Sequence, residues 1–468
     1  MYNHSNQYRC TIIRGKSQSE IDNMLPAYAS VLDDICPCKL EAFPKRFNEK
    51  FSIYLSSDKR TKKTLDNHRT EIAGKLFGMY FEKDDYIYLS ERTLKYLNDS
   101  DQPAFFKDVC YKFQFPNGTQ KINTVKKRVD DGINIKPNAF VLKTLVYARN
   151  AGVEMTKKDI GYYVLNSLDV LQGKANPLEV IDVVVQDKKL GISRVINTPG
   201  KASSYDYQHI NEQLNYLELA NLIRIENNGV VVLNEHEEKT IDLFIDSLDT
   251  PLFFSFDKYN LEESSEVRQM QKDWDIYYSE LSNMASKFET SLESLGIVPT
   301  TSDDLPLTEA GESTVALGDE GENYVFNYER ERVSKVNKRL VNKVLLLGRT
   351  KGIGYDIQSV IGEPGERMEF VKYIEVKSTR RVTAPDLSDA EWCDTVNITR
   401  NEWVAAQQHK EFYSIYRVYF VRNNVFIHVI ENVSQKHQQG KILVTPMSYR
   451  VDYDAASIDR VLGGEINV

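Results

Sequence analysis

No run of eighteen consecutive apolar residues occurs in the 468-residue chain, so the sequence holds no membrane-crossing helix. The opening Met1-Tyr2-Asn3-His4-Ser5-Asn6 lacks the charged-then-apolar layout of a secretory leader. Cysteine is scarce and odd in number, five in all, which speaks against a disulfide framework and fits a reducing cytoplasm. The Cys36-Pro37-Cys38 pair, with Cys10 as a third thiol, has one residue between its sulfurs and no second pair behind it. Structural zinc takes four ligands in wider knuckles, so these thiols are expected to be packed or in loops. Basic charge is also short. The net of −9 argues against a chain that coats nucleic acid indiscriminately. Local basic surfaces still decide phosphate contact, and short clusters exist at 59–63, 121–128, 335–343 and 377–381.

A nucleotide-hydrolysing loop is missing too. Gly200-Lys201-Ala202-Ser203-Ser204 ends like one, but no glycine stands where the first must be and no strand leads into it. The glycines from Gly348 to Gly354 carry no Lys-Ser ending. What is present is globular: 41% hydrophobic and 27% charged residues, in a length that calls for two to four domains.

The expected fold class is α+β and multidomain, with an amino-terminal module at 1–135, a second at 136–255, a helical linker at 256–314 and a last domain at 315–468. In the first module a helix at 65–78 precedes strands at 80–81 and 86–89, the ingredients of a winged helix. The second repeats the pattern more clearly. Helices are expected at 140–149, from Thr156 with Asp159 as capping-box partner, at 177–188 and at 205–219. Strands at 222–225 and 230–233 then turn about Asn227-Asn228-Gly229. Residues 262–295 read as one long polar helix whose stripe of Val267, Met270, Trp274, Tyr277 and Leu281 packs between domains. Residues 299–314 read as a linker.

The last domain is expected to open with a helix at 319–346. Glu322 lies near its apolar stripe, either as a site acid or as a first-turn acid favoured by the helix dipole. Thr399 and Glu402 form a capping box for a helix to about 411, so Glu402 reads as a cap rather than a ligand. A hairpin of strands at 413–421 and 425–430 closes the sheet.

Chemistry concentrates between Gly354 and Thr379. Asp356 sits in one short strand, and Glu375 and Lys377 in a second at 370–376, with Gly362, Pro364 and Gly365 in the turn. Strand alternation puts Glu375 and Lys377 on one face, and a hairpin brings Asp356 beside them. Two carboxylates next to an ammonium are costly in a core but suit a hard divalent cation and a held water.

Asp356 and Glu375-Val376-Lys377 resemble the PD-(D/E)XK, restriction-endonuclease-like nucleases, although Tyr355 stands where those proteins have proline. Residues 318–418 resemble the nuclease-type domain at the carboxy end of No Vein-like proteins and of several restriction enzymes. Gly318-Asp319-Glu320-Gly321-Glu322, Gly354-Tyr355-Asp356-Ile357-Gln358-Ser359, Ile374 to Thr379 and Tyr416-Arg417-Val418 carry that likeness. With the modules before it, and stretches such as Arg14-Gly15-Lys16 and 65–75, the whole chain resembles bacterial type II restriction endonucleases.

The resemblance implies a cytoplasmic bacterial enzyme that hydrolyses double-stranded DNA with Mg²⁺ or Mn²⁺ and leaves 5′-phosphates. Asp356, Glu375 and the Val376 carbonyl are then the expected metal donors. Lys377 holds the attacking water, and Glu322 helps hold the metal or orient Lys377. Ser378 or Arg380 is expected on an adjacent phosphate. Lys201, Ser203 and Ser204 are expected on the DNA backbone, where helix-start amides favour phosphate. Gln208, His209, Asn211, Glu212 and Gln213 are the expected base readers. Two centres are needed to cut a duplex, so a homodimer is expected, at least on DNA. Two alternatives stay open: a defence or repair nuclease for modified or single-stranded DNA, and a regulatory protein with an inactive nuclease-like domain.

Overall fold

The computed structural model describes residues 2–12, 18–198, 203–297, 313–348, 353–362, 370–389 and 392–444. Helices and sheets alternate through several packed units. Among the described residues no helix is long and apolar enough to cross a membrane.

The first unit runs α1 (Gln18–Ile35), β1 (Cys38–Lys39), α2 (Phe43–Phe51), α3 (Lys62–Asn67), β2 (Tyr80–Lys83) and β3 (Tyr86–Leu89). Between α3 and β2 a wider helical turn covers His68–Leu76. Strands pair in the order β1-β3-β2. The tight β2–β3 turn rests on Asp84 and Asp85, both at positive φ (51° and 59°), which aspartate tolerates better than most residues. Phe43, Phe47 and Phe51 recur along one side of α2 and are all buried.

Helices α4 (Glu91–Asp99), α5 (Gln102–Lys112) and α6 (Ile122–Asp130) lead into the second unit. That unit holds α7 (Pro137–Asn150), α8 (Lys157–Ile160), α9 (Leu168–Leu171), α10 (Pro177–Lys189) and α11 (Ser203–Leu219), then β4 (Ile223–Ile225), β5 (Val231–Leu233) and α12 (Glu238–Asp246). The expected capping box of Thr156 and Asp159 is present, as is one from Asn176 to Glu179. One continuous core joins both units, from Tyr2 to Phe288.

The long helix expected at 262–295 stops early. It is α13 (Ser264–Ser279), and Glu280 turns the chain to extended backbone. Its stripe of Met270, Trp274 and Tyr278 packs on Phe254, Phe256 and Val125, inside the amino-terminal part. Most of the expected linker lies outside the described residues.

The last domain opens with α14 (Ser313–Val336), ten residues shorter at its end than the expected 346. Asn337 breaks it by capping a 3₁₀ turn over Lys338–Lys343, with the Arg339 N–H donating to Asn337 Oδ1 at 3.0 Å. Then come β6 (Leu345–Leu346), β7 (Ile357–Ile361), β8 (Phe370–Arg380), α15 (Arg400–His409), β9 (Tyr413–Val421), β10 (Asn424–Glu431) and α16 (Val433–Gln438). The sheet order is β10-β9-β8-β7-β6. All neighbours are antiparallel except β8 and β9, which α15 connects as a parallel crossover. Of the expected β7–β8 turn residues, Gly362 is described, and Pro364 and Gly365 lie outside the described residues.

Each sheet face has its own core. Val325 and Val333 of α14 meet Ile357, Ile374 and Val376 on one face, and Ala405 and Ala406 of α15 meet Tyr413 and Ile415 on the other. The sheet is fastened to the amino-terminal part at two places. Thr379 Oγ1 and the Arg380 N–H donate to the Ser100 carbonyl at 2.9 and 3.2 Å. Arg422 donates to Asn221 Oδ1 at 2.9 Å and to the Glu218 and Ile223 carbonyls at 3.0 and 2.8 Å.

Candidate active site

Asp356 stands one residue before β7, and the antiparallel register Ile357↔Ile374 sets it opposite Glu375. The Asp356 N–H donates to the Ile374 carbonyl at 2.9 Å, and its own carbonyl accepts from Leu347 N–H at 2.6 Å. Its carboxylate folds back to accept the Val376 N–H at 2.7 Å. Two residues earlier Gly354 sits at φ +80°, and a Cβ there would lie 2.6 Å from the Asn401 carbonyl. Only glycine lets the chain into Asp356 run so close to α15.

Glu375 and Lys377 occupy one face of β8, while Ile374 and Val376 point into the opposite core, as strand alternation requires. Lys377 Nζ lies 2.7 Å from Glu375 Oε1 and 3.1 Å from Glu402 Oε2. Glu402 therefore acts twice. It accepts the Thr399 N–H at 2.9 Å, completing the capping box, and also faces the lysine. The sequence reading gave it the first part alone. The parallel crossover that brings the start of α15 over the Lys377 face leaves no trace in local spacing.

Carboxylates outnumber cations here, and their proton affinities register it. Burial pushes the Glu375 carboxyl up to about 9; the charges of Asp356 and Glu402 add to this, and Lys377 opposes it. Burial likewise raises Asp356, against the pull of the Val376 N–H and Lys377. For Lys377 burial works against the charged form, but Glu375 and Glu402 outweigh it and hold the ammonium above its ordinary value. Buried like charges of this kind favour a bound cation. Carboxylate oxygens are the donors that Mg²⁺ and Mn²⁺ prefer, and such ions keep several waters. Among the described residues no group of three or more His, Cys, Asp or Glu side chains is placed to hold a metal ion by itself. Asp356 and Glu375, with the Val376 carbonyl, are the oxygens here that could hold such an ion, its remaining positions being filled by water.

These groups line a cleft of about 350 Å³ together with Glu322, Ser378 and Arg417. Glu322 packs against Gly348, where a Cβ would lie 2.0 Å from its Oε2. Ser378 abuts Gly321, where a Cβ would lie 1.7 Å from its hydroxyl oxygen, so α14 and β8 approach closely there. The far wall of the cleft comes from the amino-terminal part: Pro26 of α1 and Tyr96, Asn98 and Asp99 of α4. The sequence held no sign of that wall.

Arg380 departs from expectation. It is buried in the junction between the two parts, 3.4 Å from Asp101 and 3.2 Å from Glu320, because β8 runs on past Lys377 to meet Ser100. Along α11 the expected readers divide. Gln208 is exposed, and Asn211 and Glu212 are half-buried. His209 and Gln213 are 4% and 5% exposed because the helix turns that side onto its own domain; His209 packs edge-on to Tyr205 at 4.6 Å. Ser203 and Ser204 form the first turn of α11, and Lys201 lies outside the described residues.

Two family models match separate stretches of the chain. Residues 2–275 match the family "Restriction endonuclease BpuJI - N terminal". Residues 321–430 match "Protein NO VEIN, C-terminal". No curated protein matches the chain. Among solved structures, a crystal structure of pyrene- and phenanthrene-modified DNA in complex with the BpuJ1 endonuclease binding domain is similar at 50% identity and a TM-score of 0.58. The match covers 60% of this chain and 100% of that one. With more than half its length matched, the chain belongs to the family defined by the amino-terminal part of restriction endonuclease BpuJI.

Proposed function

We propose that the protein is a restriction-type endonuclease whose amino-terminal part binds duplex DNA and whose last domain hydrolyses phosphodiester bonds with Mg²⁺ or Mn²⁺. One observation carries the reading: Asp356 and Glu375, nineteen residues apart in the chain, meet beside Lys377 at the floor of a cleft. The order α14, β7–β8, α15, β9 agrees with the PD-(D/E)XK resemblance. The order α1-β1-α2-α3-β2-β3 supports a winged-helix reading of the first unit.

A divalent ion held by Asp356 and Glu375 would supply Lewis-acid chemistry, activating water and offsetting charge on the phosphate. The chain's own groups do the rest. Asp356 and Glu375 present the donor oxygens. Lys377 donates a hydrogen bond to the attacking water and then to the oxygen that gains charge, while Glu402 holds the ammonium in line. Glu375 is buried, and Asp356, Lys377 and Glu402 are half-buried around it, which strengthens each contact by keeping bulk water away. On the amino-terminal part, Gln208, Asn211 and Glu212 are the α11 side chains presented for base contact, with Ser203 and Ser204 near the backbone. Cleavage of both strands calls for a homodimer on DNA.

The test is a plasmid digest with Mg²⁺ or Mn²⁺, on methylated and unmethylated DNA, comparing the native chain with Lys377→Ala. Discrete fragments that vanish with the substitution are expected. Equal cutting by both proteins removes Lys377 from the mechanism, and cutting of modified DNA alone turns the reading toward a modification-dependent nuclease.

A further inference from the structure

A second cation faces the same cleft. The parallel register Lys377↔Arg417 puts Arg417 on β9 beside the lysine, on the same sheet face and one strand spacing away, about 5 Å. Arg417 is 7% exposed and lines the cleft. Its guanidinium is held from one side only. Nε donates to Asp394 Oδ2 at 2.7 Å and Nη1 to the Ser378 carbonyl at 3.0 Å. Asp394 is in turn fixed by the Tyr419 hydroxyl at 2.7 Å and the Thr395 N–H at 2.8 Å. Nη2 has no hydrogen-bond partner among the described residues.

Two other arginines of this domain are differently placed. Arg380 is shared between Asp101 and Glu320 in the domain junction. Arg332 donates to both oxygens of Glu329 and to the Val360 carbonyl, so its fork is filled on the opposite sheet face. Stability alone gives no reason for a charge at 417. An aliphatic side chain like that of Ile415, two residues back on the same face, fills such a position without the desolvation cost of an ion pair. A guanidinium with one edge clamped and Nη2 left unpaired beside the cleft matches a phosphate diester, which it engages without losing its proton.

We propose that Arg417 binds the phosphate flanking the scissile one, with Asp394 and Tyr419 as the positioning pair that aims it. The inference rests on the nuclease reading above and adds the substrate's neighbouring diester to that site. It makes cutting depend on a charge outside the bond being broken.

The experiment uses the full chain and a linear duplex spanning a cut position mapped with the native protein. Diesters around the cut are replaced one at a time by neutral methylphosphonates. The native chain is expected to lose roughly ten- to a hundredfold in rate, through KM, at one flanking position. Arg417→Met is expected to lose a similar factor on natural DNA and to be indifferent to that methylphosphonate. Arg417→Lys keeps the charge and part of the sensitivity, which guards against a misfolded Met variant. An Arg417→Met profile as sensitive as the native one at every position, with cutting still dependent on Lys377, overturns the role of Arg417 alone. Absence of cutting by the native chain, or cutting that survives Lys377→Ala, overturns the nuclease reading together with this inference.

Discussion

Buried charge is handled in two ways in this molecule. In the amino-terminal part, fully buried Lys107 meets Glu237 at 2.6 Å and Thr290 at 3.2 Å, and Arg92 meets Asp108 at 2.7 Å with a further bond to the Phe77 carbonyl. In these two pairs each charge has an opposite partner, and the second carboxylate oxygens are occupied too: that of Glu237 accepts from Thr240 and that of Asp108 from the Ser282 N–H. In the last domain Lys377 faces both Glu375 and Glu402, with Asp356 packed against the same spot. In the first arrangement every carboxylate oxygen is matched within the chain. The second crowds three carboxylates around one ammonium, the kind of imbalance that marks a candidate binding site rather than a structural ion pair.

The largest expected effect falls on activity. Lys377→Ala or Glu375→Gln is expected to lower metal-dependent cleavage by about a hundred- to ten-thousandfold, read from initial rates on plasmid DNA. Lys107→Met, which leaves Glu237 buried without its partner, is expected to cost about 3–5 kcal/mol of stability by urea unfolding. Native-like stability in that variant would erase the distinction between the two regions, because the balanced pair would then be dispensable.

The converse substitution sharpens the comparison. Without metal, Glu375→Gln removes a buried charge whose desolvation and repulsion from Asp356 and Glu402 outweigh its contact with Lys377, so the unfolding midpoint at pH 8 is expected to rise. The sign follows from the raised carboxyl. Its folded value of about 9 lies above the ordinary 4.5, so the folded chain keeps a proton that the unfolded chain releases. That contribution is whole below about 4.5 and is lost as the pH climbs toward 9. Thermal scans of the metal-free native chain are therefore expected to drop over that window, with Glu375→Gln flattening the slope. Mg²⁺ or Mn²⁺ should restore most at the alkaline end. A native slope equal to that of the variant would place the surplus charge elsewhere.

How much of this was legible follows from which forces are local. The hairpin bringing Asp356 to Glu375 and Lys377 was readable because strand alternation and turn residues act over a few positions. The Thr399–Glu402 and Thr156–Asp159 boxes were readable for the same reason. The second part played by Glu402, the place of Arg417 beside Lys377 and the wall of Tyr96 and Asn98 depend on a parallel register and a domain contact. Those join residues tens to hundreds of positions apart, and nothing in their neighbourhoods announces it. The helix at 319–346 was drawn too long because Val341 to Leu346 are apolar, and periodicity does not separate a 3₁₀ turn and a short strand from one more helical turn.

The smallest expected effects concern α11, where burial divides residues that the sequence grouped together. Gln208 projects into solvent, whereas Gln213 is 5% exposed against its own domain. A neutral hydrogen bond is worth about 1 kcal/mol, so Gln208→Ala is expected to weaken binding to a duplex carrying the mapped site by about fivefold. Its unfolding midpoint should not move. Gln213→Ala should do the reverse, lowering stability by a similar amount and leaving duplex affinity as it was. The pair is informative because both are glutamines on one helix, five residues apart, with the same chemistry. If Gln213→Ala weakens binding and spares stability, that face must open when DNA is bound, and the division drawn from burial in the free protein would not hold for the complex.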